Sequence, residues 1–214
     1  MNNNSEMKGA IQDVIKCMMD RVMEKVLVTD PFLKDAHKAK KPLYAALVPD
    51  EIFKGSHFER RFVTPFGNVW ENLAVVAAKA GLGEGATHYR IDGLVNSERL
   101  RRITEVLNGL EHSGKGQAKV QPNWDKELAY ILEGKGEDIP VTVICDVYAE
   151  DVKNKRRFAF ELKAPLPNSD QTKVSKEKLL KLYSMEPPRI DEAYYALHQE
   201  KRENLVCSLN ILTD

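Results

Sequence analysis

Apolar residues recur at helical spacing through the first half of the chain and at strand-like spacing beyond residue 138. Ile11, Val14, Ile15, Met18, Val22 and Val26 form a stripe that predicts a helix from about residue 8 to 27, with Pro31 close behind its end. Leu43 to Phe53 and Val69 to Ala80 predict further helices, the second opening after Pro65 and Gly67. Leu100, Ile103, Val106, Leu107 and Leu110 mark another helical face, and Asp125 to Leu132 a short helix. Between them, Thr87 to Leu94 alternates weakly, as a strand would, and Ser113 to Pro122 is a polar, glycine-containing loop.

The pattern changes at Asp138. Val141 to Tyr148 and Phe158 to Leu162 are β-branched and aromatic, and they flank Asp151-Val152-Lys153-Asn154-Lys155 as two strands flank a hairpin turn. The loop APLPNSDQTK follows, then a helix around Ser175 to Tyr183 that ends before Pro187 and Pro188. Glu192 to Leu197 reads as a third strand. Helices first, then a short sheet with a flanking helix, point to an α/β or α+β domain.

Composition narrows the class. The 214 residues suit one domain, with a helical part over about 1–135, a sheet core over about 136–198 and a tail over 198–214. No run of about 18 apolar residues appears, so no membrane span is expected. The N-terminus lacks an apolar signal core, so a cytoplasmic location is expected. Cys17, Cys145 and Cys207 lie far apart and read as reduced thiols. The five histidines have no metal-ligand spacing, and each reads as structural. Gly81, Gly83 and Gly85 follow a helix, which excludes a dinucleotide-binding loop. Net charge is zero, but Lys153 to Lys181 holds nine Lys/Arg against three Asp/Glu. Such a tract suits phosphate contacts or a solvated surface.

The candidate chemistry lies in the hairpin. If its turn centres on Lys153–Asn154, Asp146 stands opposite Glu161, and Lys163 shares the face of Glu161 two residues on. Burying three such groups is costly unless they pair or bind a cation. Asp146 and Glu161 are carboxylates for a hard cation such as Mg²⁺, with the Leu162 carbonyl as a third oxygen. Lys163 would orient or deprotonate the attacking water and offset charge on a phosphate, so phosphodiester hydrolysis is the expected reaction. Asp138 is the rival ligand, but it lies eight residues from Asp146, roughly 26 Å along an extended strand. Glu71, at the start of an apolar helix, is either a carboxylate leaning over the site or a helix-start acid. Gln171 and Lys173 either contact phosphate or belong to a polar loop, with Asn168, Ser169 or Asp170 capping the next helix. Lys176, Lys178 and Lys181 read as backbone-phosphate contacts or surface.

The stretch ELKAPLPNSDQTKVSKEKLLKLY, with VICDVYAED and FGNVWENLA before it, resembles the TdeIII-type type II restriction endonucleases over most of residues 8–197. The resemblance implies a restriction-endonuclease-like α/β core of the PD-(D/E)xK kind, a central mixed sheet flanked by helices. It implies Mg²⁺-dependent cleavage of double-stranded DNA at a short site of the GGNCC kind or a variant. It places Asp146 and Glu161 on the metal carboxylates and Lys163 on the catalytic lysine, and it favours functional roles for Glu71 and Gln171. A homodimer and a cognate DNA methyltransferase as genetic partner go with that reading. The tail HQEKRENLVCSLNILTD departs from the family pattern. That departure keeps a truncated, catalytically impaired DNA-binding remnant as an alternative, beside a repair or junction-resolving nuclease of the same fold.

Overall fold

A computed structural model describes residues 3–111, 120–163 and 167–197. The expected loop at 113–122 lies mostly outside these residues, as do the start of APLPNSDQTK and the tail. The chain divides into two units, Met1–Ala77 and Ala78–Asp214.

The first unit is helical. The predicted stripe becomes α1 (Asn3–Glu24), continued by a π-helical turn at Lys25–Thr29. Met18 and Val22 of that stripe pack with Val69, and Val14, Val26, Phe62, Phe66 and Leu73 close the cluster. The helix α2 (Lys34–Lys40) was not expected from the pattern. The segment Leu43 to Phe53 is two helices: α3 (Pro42–Leu47) ends where Val48 turns extended before Pro49, and α4 opens at Asp50. A residue before proline is pushed out of the helical region, which explains the break.

Helix α4 (Asp50–Gly81) instead runs straight past Pro65 and Gly67, where the sequence predicted a start. An interior proline costs about 3 kcal/mol. Phe58, Phe62, Phe66 and Trp70 repeat every four residues and form a ladder of ring contacts, 5.4–5.8 Å between centroids, through that turn. Four aromatic side chains on one face supply contacts that offset the missing hydrogen bond.

The second unit is a five-stranded mixed sheet with helices. Its strands are β1 (Gly83–Asn96), β2 (Asp138–Asp151), β3 (Arg156–Lys163), β4 (Met185–Glu186) and β5 (Glu192–Leu197), in the order β4-β1-β2-β3-β5. Only β3 and β5 pair in parallel. That pairing needs a crossover, which α7 (Ser169–Tyr183) supplies. The weak alternation at 87–94 becomes a 14-residue strand inside the sheet, with Ile91 and Val95 buried. Leu179 and Leu182 of α7 pack on the sheet with Ile91, Val95, Val143 and Cys145. Leu180 turns instead to Ile103 and Leu107 of α5 (Ser97–Glu111) and Ile131 of α6 (Trp124–Leu132). Each such fully buried aliphatic side chain is worth about 1.5–3 kcal/mol. The sheet with its flanking helices is consistent with a restriction-endonuclease-like α/β fold. Among the described residues, no helix is long and apolar enough to cross a membrane.

Candidate active site

The hairpin turn sets the register on which the site depends. Asp151 accepts from the backbone and side chain of Asn154, and Lys155 takes a left-handed φ of 55° before β3 begins. The β2–β3 ladder then runs from Asp151↔Arg156 to Val147↔Phe160. One step further the same register brings Asp146 opposite Glu161, but ladder pairing has ended. In its place the Leu162 N–H donates to Asp146 Oδ2 at 2.8 Å. A side-chain carboxylate thus satisfies a backbone donor that the ladder leaves open, as a buried donor requires.

The partner strand is interrupted at the same residue. Thr87 pairs with Val147 and Tyr89 with Cys145, so His88 stands opposite Asp146, at the position the β1–β2 ladder omits. His88 has a φ of 51°, a conformation uncommon for a residue with a side chain. Asp146 therefore sits where both flanking ladders are relaxed. Sequence reasoning gave His88 no place here, because a local backbone kink leaves no mark in the hydrophobic pattern.

Three of the expected groups converge. Lys163 Nζ lies 2.8 Å from Asp146 Oδ2, 3.4 Å from Glu161 Oε2 and 3.1 Å from the Leu162 carbonyl. The Glu161 side chain is 1% exposed, that of Asp146 19% and that of Lys163 22%. Burial pushes the Glu161 carboxyl up, against the Lys178 ammonium that lowers it, and the Asp146 charge raises it further. Burial acts to lower the Lys163 pKa, but the carboxylates of Asp146 and Glu161 outweigh it and hold the ammonium above its ordinary value.

Lys178 joins this cluster, although the sequence suggested a phosphate contact or surface. Its Nζ donates to both Glu161 oxygens, at 2.8 and 3.0 Å, and lies 3.9 Å from Asp146. Ser175 Oγ donates to Glu161 at 3.4 Å. Both residues sit on α7, which begins at Ser169 and is capped by the Asn168 side chain accepting from the Gln171 N–H. The cap is among those the sequence offered, but the helix starts six residues before Ser175, where the apolar pattern placed it. Gln171, Ser175 and Lys178 are spaced i, i+4, i+7 and share one helix face. Gln171 is at the exposed end of that face. The spacing was visible in the sequence, and only the late helix start concealed it.

Asp138 is at the exposed start of β2, paired in register with Asn96. Glu71 stands on α4 in the first unit, and its role rests on the family resemblance. The basic tract is largely neutralised within the chain. Arg156 pairs with Glu192, Arg157 with Asp191, Lys173 with Glu111, Lys176 with Glu127 and Lys181 with Glu177, beside the two lysines of the cluster. Lys176 is nearly buried and its 2.5 Å bond to Glu127 ties α7 to α6, a structural role.

The donor set fits a hard cation. Two carboxylates and one carbonyl already gather around positive charge, with Lys163 Nζ within 3.4 Å of all three and Lys178 Nζ on both Glu161 oxygens. Oxygen ligands suit Mg²⁺, which keeps several waters and needs few protein ligands. Among the described residues no group of three or more His, Cys, Asp or Glu forms a metal cluster, so any third protein oxygen would come from the Leu162 carbonyl.

Known proteins supply the family. The model of the HinfI type II restriction endonucleases matches residues 7–204, and so takes in the first part of the tail that the sequence reading set apart. The type II restriction enzyme HgiEI of Herpetosiphon aurantiacus is 24% identical over 198 residues, covering 87% of this chain and 69% of that enzyme. HgiCII of the same organism is 24% identical over 160 residues, covering 73% of this chain and 58% of that enzyme. No solved structure gives a significant match. With the family model spanning nearly the whole length, the chain belongs to the HinfI family of type II restriction endonucleases.

Proposed function

We propose that this protein hydrolyses both strands of DNA at a short specific site in a Mg²⁺-dependent reaction centred on Asp146, Glu161 and Lys163. The observation that carries this reading is the convergence of Asp146, Glu161 and the Leu162 carbonyl on Lys163 within 3.4 Å. Mg²⁺ held by those three oxygens would polarise the scissile phosphate and acidify a bound water. Asp146 does double duty: it fixes the end of β3 through the Leu162 N–H and aims the Lys163 ammonium. Lys163, held protonated by its neighbours, offsets the charge that builds on the phosphoryl oxygens during attack. Gln171, at the exposed end of the α7 face, would contact the phosphate or the attacking water. Glu71 is assigned a supporting carboxylate role on the family resemblance alone. A site of the GGNCC kind is the specificity that the TdeIII-type resemblance carries, and a cognate methyltransferase would protect it in the host genome.

Digestion of a plasmid of known sequence with Mg²⁺, followed by end sequencing, tests this. Discrete bands with ends at one short sequence are expected. A smear would indicate a nonspecific nuclease, and cutting only at branched junctions a resolving enzyme. Binding without any cutting would overturn the proposal and indicate a DNA-binding remnant.

A further inference from the structure

Lys178 is a second ammonium in the cluster, and the role of Lys163 does not require it. The Glu161 side chain is 1% exposed, and its shortest hydrogen bonds among the described residues come from Lys178, which donates to both carboxylate oxygens, while Lys163 and Ser175 each lie at 3.4 Å. An uncompensated charge at such a place costs several kcal/mol. Yet the same bonds take one lone pair on each oxygen and set a positive charge where a metal would approach. A cation on Glu161 must therefore compete with the Lys178 ammonium.

Charge shows how the conflict resolves. Asp146 and Glu161 carry two negative charges, and Lys163 and Lys178 balance them. One divalent cation carries the same charge as the two ammoniums. Its entry beside both ammoniums would leave a net positive charge of two in a mostly buried place, which like-charge repulsion opposes; with Lys178 gone and Lys163 kept, a bound phosphate balances what remains. Lys178 is built to leave: its side chain is 29% exposed, and its stem rises from the α7 face that leads to exposed Gln171.

We propose that Lys178 is a positioning residue that stands in for the divalent cation on Glu161, yields the carboxylate when the cation binds, and passes its own ammonium to a DNA phosphate. The inference rests on the metal reading proposed above. It makes cation binding and DNA binding support each other, because each removes what hinders the other.

The test uses the full chain and Ca²⁺, which binds oxygen sites of this kind. Calorimetric titration compares the wild type with Lys178→Met, Lys178→Arg and, as a surface control, Lys181→Met. Lys178→Met is expected to bind Ca²⁺ about tenfold more tightly, equal to about 1.4 kcal/mol. Lys178→Arg and Lys181→Met should stay within about threefold of wild type. Without cation, Lys178→Met should melt lower than wild type and gain more from Ca²⁺. If it is unfolded without cation, refolding on Ca²⁺ addition supports the proposal and failure to refold overturns it. With Ca²⁺ present, the dependence of log DNA affinity on log salt should be shallower in Lys178→Met by about 0.9, one phosphate contact. An unchanged slope overturns the transfer to phosphate. Ca²⁺ binding in the wild type that Lys178→Met leaves equal or weaker overturns the inference alone. No Ca²⁺ binding by any of the four proteins removes the metal reading and the inference with it.

Discussion

Asp146, Leu162 and Lys163 form a unit in which backbone and side chain depend on one oxygen. Asp146 Oδ2 accepts from both the Leu162 N–H and Lys163 Nζ, each at 2.8 Å. Replacing Lys163 with Ala leaves the first bond in place, so the fold should hold while turnover falls by roughly 10²–10⁴-fold. Filter binding with Ca²⁺ should show DNA affinity largely retained, and cutting that survives the change would remove Lys163 from the chemistry. The neighbouring Cys145 makes a separate case. Burial pushes its thiol up to about 12, while Cys17 is exposed. An ordinary thiol ionises near 8.5. Between about 8.5 and about 12 the folded chain therefore keeps a proton that the unfolded chain loses, so stability is full below that window and falls as pH rises through it. Lys163, whose pKa is also raised, adds to the loss with the same sign once pH passes the ordinary lysine value of about 10.4. Iodoacetamide at pH 8.5, followed by peptide mapping, should label Cys17 promptly and Cys145 only on unfolding. Equal labelling of the two would contradict the buried, protonated thiol.

Elements were legible where periodicity was strong and were misplaced where a contact from outside the window decided the outcome. The α1 stripe, the α5 face and the β2–β3 hairpin follow from local spacing, and the turn at Lys153–Asn154 fixed the register that brings Asp146 to Glu161. The passage of α4 through Pro65 depends on a ring ladder that begins at Phe58, before the proline. The full length of β1 depends on pairing with β2 more than 40 residues later. Strand pairing at such separation cannot be read from alternation alone. At His88 the consequence can be tested. A β-branched residue tolerates positive φ poorly, so His88→Val should cost about 1–2 kcal/mol and disturb the strand beside Asp146. His88→Gly removes the steric conflict and should keep stability within about 1 kcal/mol of wild type. Urea unfolding measures both, and a Val variant as stable as the Gly variant would mean that the kink carries no strain.

At the scale of the whole molecule, the question is how one cluster comes to cut two strands. On the proposed reaction a single set of Asp146, Glu161 and Lys163 would face one scissile phosphate, while a short symmetric site presents two of opposite polarity. Two copies of the chain related by a two-fold axis would meet this, because protein symmetry then matches site symmetry. Neither the neutral net charge nor the internally paired basic tract supplies a strong general attraction for DNA. Affinity should then depend on two chains engaging one site together, each adding its contacts to the other's. Sedimentation of the full chain on a duplex carrying one site, with Ca²⁺ in place of Mg²⁺, should give two chains per duplex. Mixing wild type with Lys163→Ala gives a second readout. In a dimer with one active cluster per chain, mixed pairs can break only one strand, so after subunit exchange nicked circles should be most abundant near equal amounts of the two chains and decline again as wholly inactive pairs take over. Linear product falling with no nicked intermediate would show instead that one chain cuts both strands in turn.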